Sequence, residues 1–91
     1  MSVTVRIPAQ LRSLTVGERE IGVEAATVHE ALGSLETRHP GVTARIVGDD
    51  GQVRRFVNVF LENRDIRFLD GLDTTVGEGQ TLSVVPAISG G

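Results

Sequence analysis

Two short runs near the start of the chain alternate hydrophobic and polar residues. Residues 2–8 place Val3, Val5 and Ile7 on one side, and residues 18–24 repeat the alternation with Ile21 and Val23. A period of two is typical of a strand with one buried face. The pattern predicts two strands that form an antiparallel hairpin, joined by a polar loop longer than a tight turn.

The next segment changes to a helical period. Thr27 is a candidate N-cap, and Glu30 occupies the reciprocal position of a capping box. Pro40 and Gly41 prevent the helix from continuing. Hydrophobic side chains recur between these limits at three- and four-residue spacing, at Val28, Ala31, Leu32 and Leu35. One amphipathic helix is predicted, followed by a connector with one irregular helical turn.

The run RRFVNVFLENRDIRF, residues 54–68, predicts the middle of a sheet. The hydrophobic residues at 57, 59 and 61 face the helix, so Phe56, Asn58 and Phe60 face the other way. Residues 62–65 are predicted to form a hairpin turn, and residues 66–68 a short strand.

TLSVVP, residues 81–86, predicts a last strand with Leu82 and Val84 facing inward. Because one helix must cover one apolar sheet face, we expect it to lie across a mixed sheet of four or five strands. The last strand would lie parallel to the first. This α+β arrangement is the ubiquitin-like β-grasp fold. Residues 1–86 are predicted to form this domain, and residues 87–91 a flexible diglycine tail.

An outward-facing aromatic pair, Phe56 and Phe60, is predicted to form a partner-docking surface with Val85 on the last strand. Exposed apolar patches on small domains usually mark interaction sites. The alternative is that the connector or the short strand covers the pair as a second minor core.

Composition excludes several kinds of chemistry. The 91 residues include no cysteine, and all nine basic side chains are arginines, so a side-chain thiolate and a Schiff-base lysine are both excluded. The net charge of −3 disfavours nucleic-acid binding. His29 and His39 lack further ligands nearby in the sequence, so no metal site is expected. The N-terminus has no signal-peptide pattern and no run could span a membrane, so we expect a cytoplasmic protein.

The last residues, VVPAISGG, run from the end of the predicted last strand to two terminal glycines. Glycine lets the backbone pass through a channel that a Cβ atom would block. We expect the tail to thread into a partner's active site, with Ile88 as a candidate apolar anchor between Ala87 and Ser89. The alternative is that these residues are a frayed terminus, as most termini are.

The order of elements, the middle run and this tail resemble the small ubiquitin-like sulfur-carrier proteins, which include carriers of the thiamin and molybdopterin pathways. Within that family the actinobacterial carriers of cysteine biosynthesis are most similar, through the middle strand and the VPA plus diglycine ending. The resemblance implies that an E1-like enzyme uses ATP to adenylate Gly91, with Gly90 as its slim neighbour. Gly91 then becomes a thiocarboxylate that donates sulfur in the biosynthesis of cysteine or of another small sulfur metabolite, such as a thiosugar or thiamin.

The same resemblance implies a protein co-substrate that holds no cofactor and is not an enzyme. Its partners would be the E1-like adenylating enzyme, a sulfur-acceptor synthase that uses pyridoxal phosphate in the cysteine route, and a metalloprotease that releases the product. Nucleic acid and membrane are not expected as partners. The alternatives are a ubiquitin-like modifier conjugated through Gly91, and the small subunit of molybdopterin synthase, although Val85-Pro86-Ala87 departs from the Pro-Pro common in molybdopterin carriers.

Overall fold

The computed structural model describes residues 1–86, and the predicted tail at 87–91 lies outside the described residues. The chain forms five strands and one α-helix, with short 3₁₀ segments in the connections. In chain order these elements are β1 (Ser2–Arg6), β2 (Glu20–Glu24), α1 (Val28–Arg38), β3 (Val57–Leu61), β4 (Arg64–Asp65) and β5 (Thr81–Pro86).

The strands form one mixed sheet in the order β2-β1-β5-β3-β4. β1 pairs antiparallel with β2, as predicted, and β5 lies parallel to β1 with Val5 opposite Leu82. On its other side β5 pairs antiparallel with β3, where Val59 lies opposite Val84. The predicted β-grasp fold is confirmed, with five strands and the C-terminal strand in the centre.

The core lies between α1 and one face of the sheet. The four hydrophobic side chains that repeat along α1 are all buried, and Leu35 has 0% of its surface exposed. The alternating residues of β1, β3 and β5 meet them from the sheet. Burying one valine, leucine or isoleucine side chain contributes about 1.5–3 kcal/mol. Burial of the apolar residues that repeat along the helix and along the strands is therefore the main driving force for this packing.

The predicted capping box starts the helix. The Thr27 hydroxyl accepts a hydrogen bond from the Glu30 N–H at 3.2 Å. In return, the Glu30 carboxylate accepts from the N–H of Ala26, one residue before the cap, at 2.8 Å. Two local bonds therefore fix where α1 begins.

The segment after β3 differs from the prediction. The turn is confined to Glu62 and Asn63, β4 spans Arg64–Asp65, and Ile66–Phe68 forms a 3₁₀ turn and not a strand. The physical cause is Asp65, whose carboxylate accepts the Arg67 N–H at 2.9 Å and starts a helical turn. The tight turn also requires a positive φ, which is 56° at Glu62.

The polar loop between β1 and β2 also contains unpredicted structure. Ala9–Thr15 forms a 3₁₀ helix, and its Leu11 and Leu14 pack against the core. These two leucines therefore add partly buried apolar surface to the core.

The connector after α1 begins with a turn organised by one carboxylate. Glu36 accepts hydrogen bonds from the N–H groups of Gly41 at 2.9 Å and Thr43 at 3.0 Å. These bonds lower the pKa of Glu36 below its ordinary value of 4.5, because they stabilise the ionised form. The helical turn predicted for the connector follows at Thr43–Arg45.

This carboxylate makes stability depend on pH. Because the folded-state pKa is lowered, its contribution is present above about pH 4.5 and is lost as the pH falls through the lower folded-state pKa. We expect Glu36→Gln to lower the free energy of unfolding at pH 7, and the difference from the unmodified protein to shrink toward pH 3, as measured by urea unfolding. The control is Asp73→Asn, an exposed carboxylate that accepts no hydrogen bond within residues 1–86; a similar pH dependence there would contradict the assignment to Glu36.

Candidate functional site

The sheet side opposite α1, here called the open face, carries one continuous row of side chains across all five strands. The strand registers place these five residues opposite one another, and in spatial order they are Glu20, Arg6, Ser83, Phe60 and Asp65. Arg6 and Glu20 form an exposed ion pair at 3.2 Å. Phe60 therefore lies on the open face between a short polar residue and the β4 carboxylate.

Val85 lies next to Phe60 on this face. It pairs with Asn58, two residues along β3 from Phe60, so the two apolar side chains are diagonal neighbours. Such neighbours are about 7–8 Å apart at the backbone, within reach of an aromatic ring. Val85 is 44% exposed and Phe60 is half-buried. The structure thus brings together two of the three predicted docking residues.

Phe56 occupies a different position from the one predicted. It precedes β3 in a turn, closed by a 3.0 Å bond from the Val57 N–H to the Arg54 carbonyl, so strand alternation does not set its direction. Its side chain is 60% exposed. The alternative that a connector covers the aromatic pair therefore does not hold for Phe56, and Phe60 is covered only in part.

Arg67 is the residue of this region that sequence reasoning missed. Its guanidinium donates to the Asn58 side chain at 2.7 Å, to the Val57 carbonyl at 2.6 Å and to the Arg54 carbonyl at 3.1 Å. Asp65 lies 3.9 Å away as a counter-charge. No sequence signal identified it, because an arginine between two hydrophobic residues is typical of an ordinary strand.

Phe68 was also missed as a surface feature, although its side chain is 87% exposed. It lines a concavity of about 680 Å³ together with Leu61 and the β3–β4 turn. That concavity lies at the end of β3 away from Val57, which pairs with Pro86. It is therefore separate from the point where β5 ends.

β5 ends at Pro86, which pairs with Val57 of β3. The pairing of β5 with β1 covers Thr81–Ser83, whereas its pairing with β3 continues to Pro86, so β3 is the strand that holds the end of β5. The predicted site residues Ala87, Ile88, Ser89, Gly90 and Gly91 follow directly and lie outside the described residues.

Neither a metal centre nor a membrane span is found in residues 1–86. No group of three His, Cys, Asp or Glu side chains in this range could hold a metal ion, and no helix there is long and apolar enough to cross a membrane. His39, at the end of α1, instead contacts Glu18 at 3.3 Å.

The element order, the single helix and the central C-terminal strand define a ubiquitin-like β-grasp protein. The family comparison is more specific, because the model of the ThiS family matches residues 5–91. The chain belongs to this family of ubiquitin-like sulfur carriers and modifiers.

Several known proteins are similar to this chain over all or nearly all of its length. The sulfur carrier protein CysO of Mycobacterium tuberculosis is 33% identical over 93 residues, covering 100% of both chains. Small archaeal modifier protein 3 of Haloferax volcanii is 35% identical over 94 residues, also covering 100% of both. Among solved structures, the BexX/CysO complex of Amycolatopsis orientalis contains a chain with a TM-score of 0.92 and 43% identity, covering 98% of this chain and 99% of that one.

Proposed function

We propose that this protein is a sulfur carrier whose working atom is the carboxyl carbon of Gly91. The observation that carries the proposal is the family match through Gly91, five residues beyond the end of a strand held in the centre of the sheet. Full-length similarity to CysO supports the same assignment. The protein would serve as a co-substrate and supply no catalytic group of its own.

Two steps would load the carrier. In the first, a Gly91 carboxylate oxygen attacks the α-phosphorus of ATP on an E1-like enzyme, and pyrophosphate leaves. In the second, a sulfide sulfur attacks the acyl carbon and AMP leaves with the bridging oxygen, which gives a thiocarboxylate. Adenylation is needed because a free carboxylate is a poor electrophile, whereas AMP is a good leaving group.

The residue types of the tail suit this chemistry. Gly90 and Gly91 have no Cβ atoms and allow the carboxylate to pass through a narrow channel into an adenylation pocket. Ala87 and Ser89 are small, and Ile88 would be the apolar anchor at the channel mouth. We infer that residues 87–91 enter the partner enzymes while residues 1–86 are recognised at their surface.

The recognised surface would be the open face around Phe60 and Val85, with Phe56 at its margin. An apolar centre with polar residues around it is the usual composition of a protein interface. The Amycolatopsis relative occurs in a complex with BexX, which supports a role for this fold in binding a partner protein.

The acceptor that we propose is an amino-acid precursor in cysteine biosynthesis, as the resemblance to the actinobacterial carriers implies. A synthase would hold that precursor on pyridoxal phosphate, and a metalloprotease would release the product from the tail. Both cofactors would belong to partners. The second candidate function is protein modification, in which Gly91 forms an isopeptide bond with a target lysine; the small archaeal modifier relative favours it.

Intact mass tests the sulfur-carrier proposal. We expect a gain of about 16 Da after incubation with the E1-like enzyme, ATP and sulfide, because one carboxyl oxygen is replaced by sulfur. Oxidation of Met1 would give a similar gain, so the control is the variant lacking Gly91, which keeps Met1. A gain that needs neither ATP nor Gly91 would contradict the proposal, and a stable adduct with a protein lysine would favour the modifier.

A docking role for Phe60 has its own test. We expect Phe60→Ser to raise the KM for the carrier about tenfold in ATP–pyrophosphate exchange with the E1-like enzyme, because a half-buried aromatic anchor is lost from the interface. Phe68→Ser is the matched control, since it removes an exposed phenylalanine outside the open face. Equal KM values for the two variants, or an effect of Phe60→Ser confined to the melting temperature, would refute the docking role.

A further inference from the structure

The edge of β3 that faces away from β5 is paired with β4 over only part of its length. β4 pairs with Phe60 and Leu61, so in the described part of the chain Val57 and Asn58 have no neighbouring strand on that side. A backbone carbonyl left there without a donor would carry a desolvation cost. Arg67 supplies the missing donors, since one terminal nitrogen bonds the Val57 carbonyl and the other bonds the Asn58 side chain.

The same two residues form the last pairs with β5. Asn58 lies opposite Val85, and Val57 lies opposite Pro86. Hydrogen-bonded and non-bonded pairs alternate in an antiparallel ladder, and the bond from Glu62 to Thr81 places the pair of Asn58 and Val85 among the bonded ones. Val57 and Pro86 therefore form a pair without mutual backbone bonds, and the end of β5 depends on how firmly β3 itself is held.

Arg67 is well suited to hold β3 in place. Its backbone N–H is bonded to Asp65, and its side chain crosses from the 3₁₀ turn to three acceptors at 2.6–3.1 Å. A planar guanidinium reaches several acceptors at once in a fixed geometry, which a lysine ammonium does not reproduce. All three acceptors belong to residues 54–58, so the guanidinium links the turn after β4 to the start of β3.

We propose that Arg67 is a positioning residue that fixes the end of β5 and so directs the tail into the activating enzyme. The inference rests on the proposed sulfur-carrier function. It assigns Arg67 a role different from that of Phe60, because Phe60 would contribute affinity whereas Arg67 would contribute alignment of Gly91 with ATP. Misalignment lowers the rate of the chemical step even when binding is retained.

The kinetic test separates these two roles. With the full-length chain, the E1-like enzyme and ATP, we expect Arg67→Ala to lower kcat for adenylation about tenfold while KM changes by less than about threefold. Arg67→Lys should give an intermediate kcat, and it also serves as the test variant if Arg67→Ala does not fold. Arg38→Ala is the matched control, because the Arg38 guanidinium on α1 donates to the Gly22 carbonyl of β2 at 2.7 Å and lies outside the open face and β3.

Amide hydrogen exchange gives a readout that needs no enzyme. Arg67→Ala should speed exchange at Val85 about tenfold and leave Leu82, in the middle of β5, within about twofold. Equal acceleration at both sites, a change in KM alone, or the same loss of kcat in Arg38→Ala would overturn the proposal. If the unmodified carrier is not adenylated at all, the proposed function fails instead, and the exchange data still decide whether Arg67 anchors β5.

Discussion

The pairing of β5 between β1 and β3 is the contact on which the rest of the fold depends. It joins the first strand of the chain to the last and links the β1–β2 hairpin to β3 and β4 in one sheet. Without it, α1 would have no continuous surface to cover. β5 has neighbours on both sides over Thr81–Ser83, and its end at Pro86 is paired with β3.

The single helix imposes a second constraint. Within residues 1–86, one α-helix covers one side of a five-stranded sheet, and the opposite side is left with Phe60 half-buried and Val85 exposed. This asymmetry gives the domain one buried face and one exposed face. Alternate residues of the same strands form the two faces, as at Val84 and Val85.

Local sequence patterns predicted the structure correctly wherever the physical preferences of a segment agreed with one another. The capping box at Thr27 and the alternation in β1 and β5 were predicted correctly because short-range bonds and burial favour the same structure. Residues 66–68 were predicted wrongly because two preferences compete there. Alternating hydrophobicity favours a strand, but the Asp65 carboxylate captures a backbone N–H and turns the chain into a 3₁₀ segment.

The sequence by itself determined the fold class and the buried stripe of α1, since each depends on residue type and spacing along the chain. Only the tertiary structure decided which side chains meet on the open face. Phe60 and Val85 are 25 positions apart and become neighbours through the register of β3 and β5. The contacts of Arg67 likewise depend on a turn that brings its long side chain back across β3, and such a contact leaves no periodic signal in the sequence.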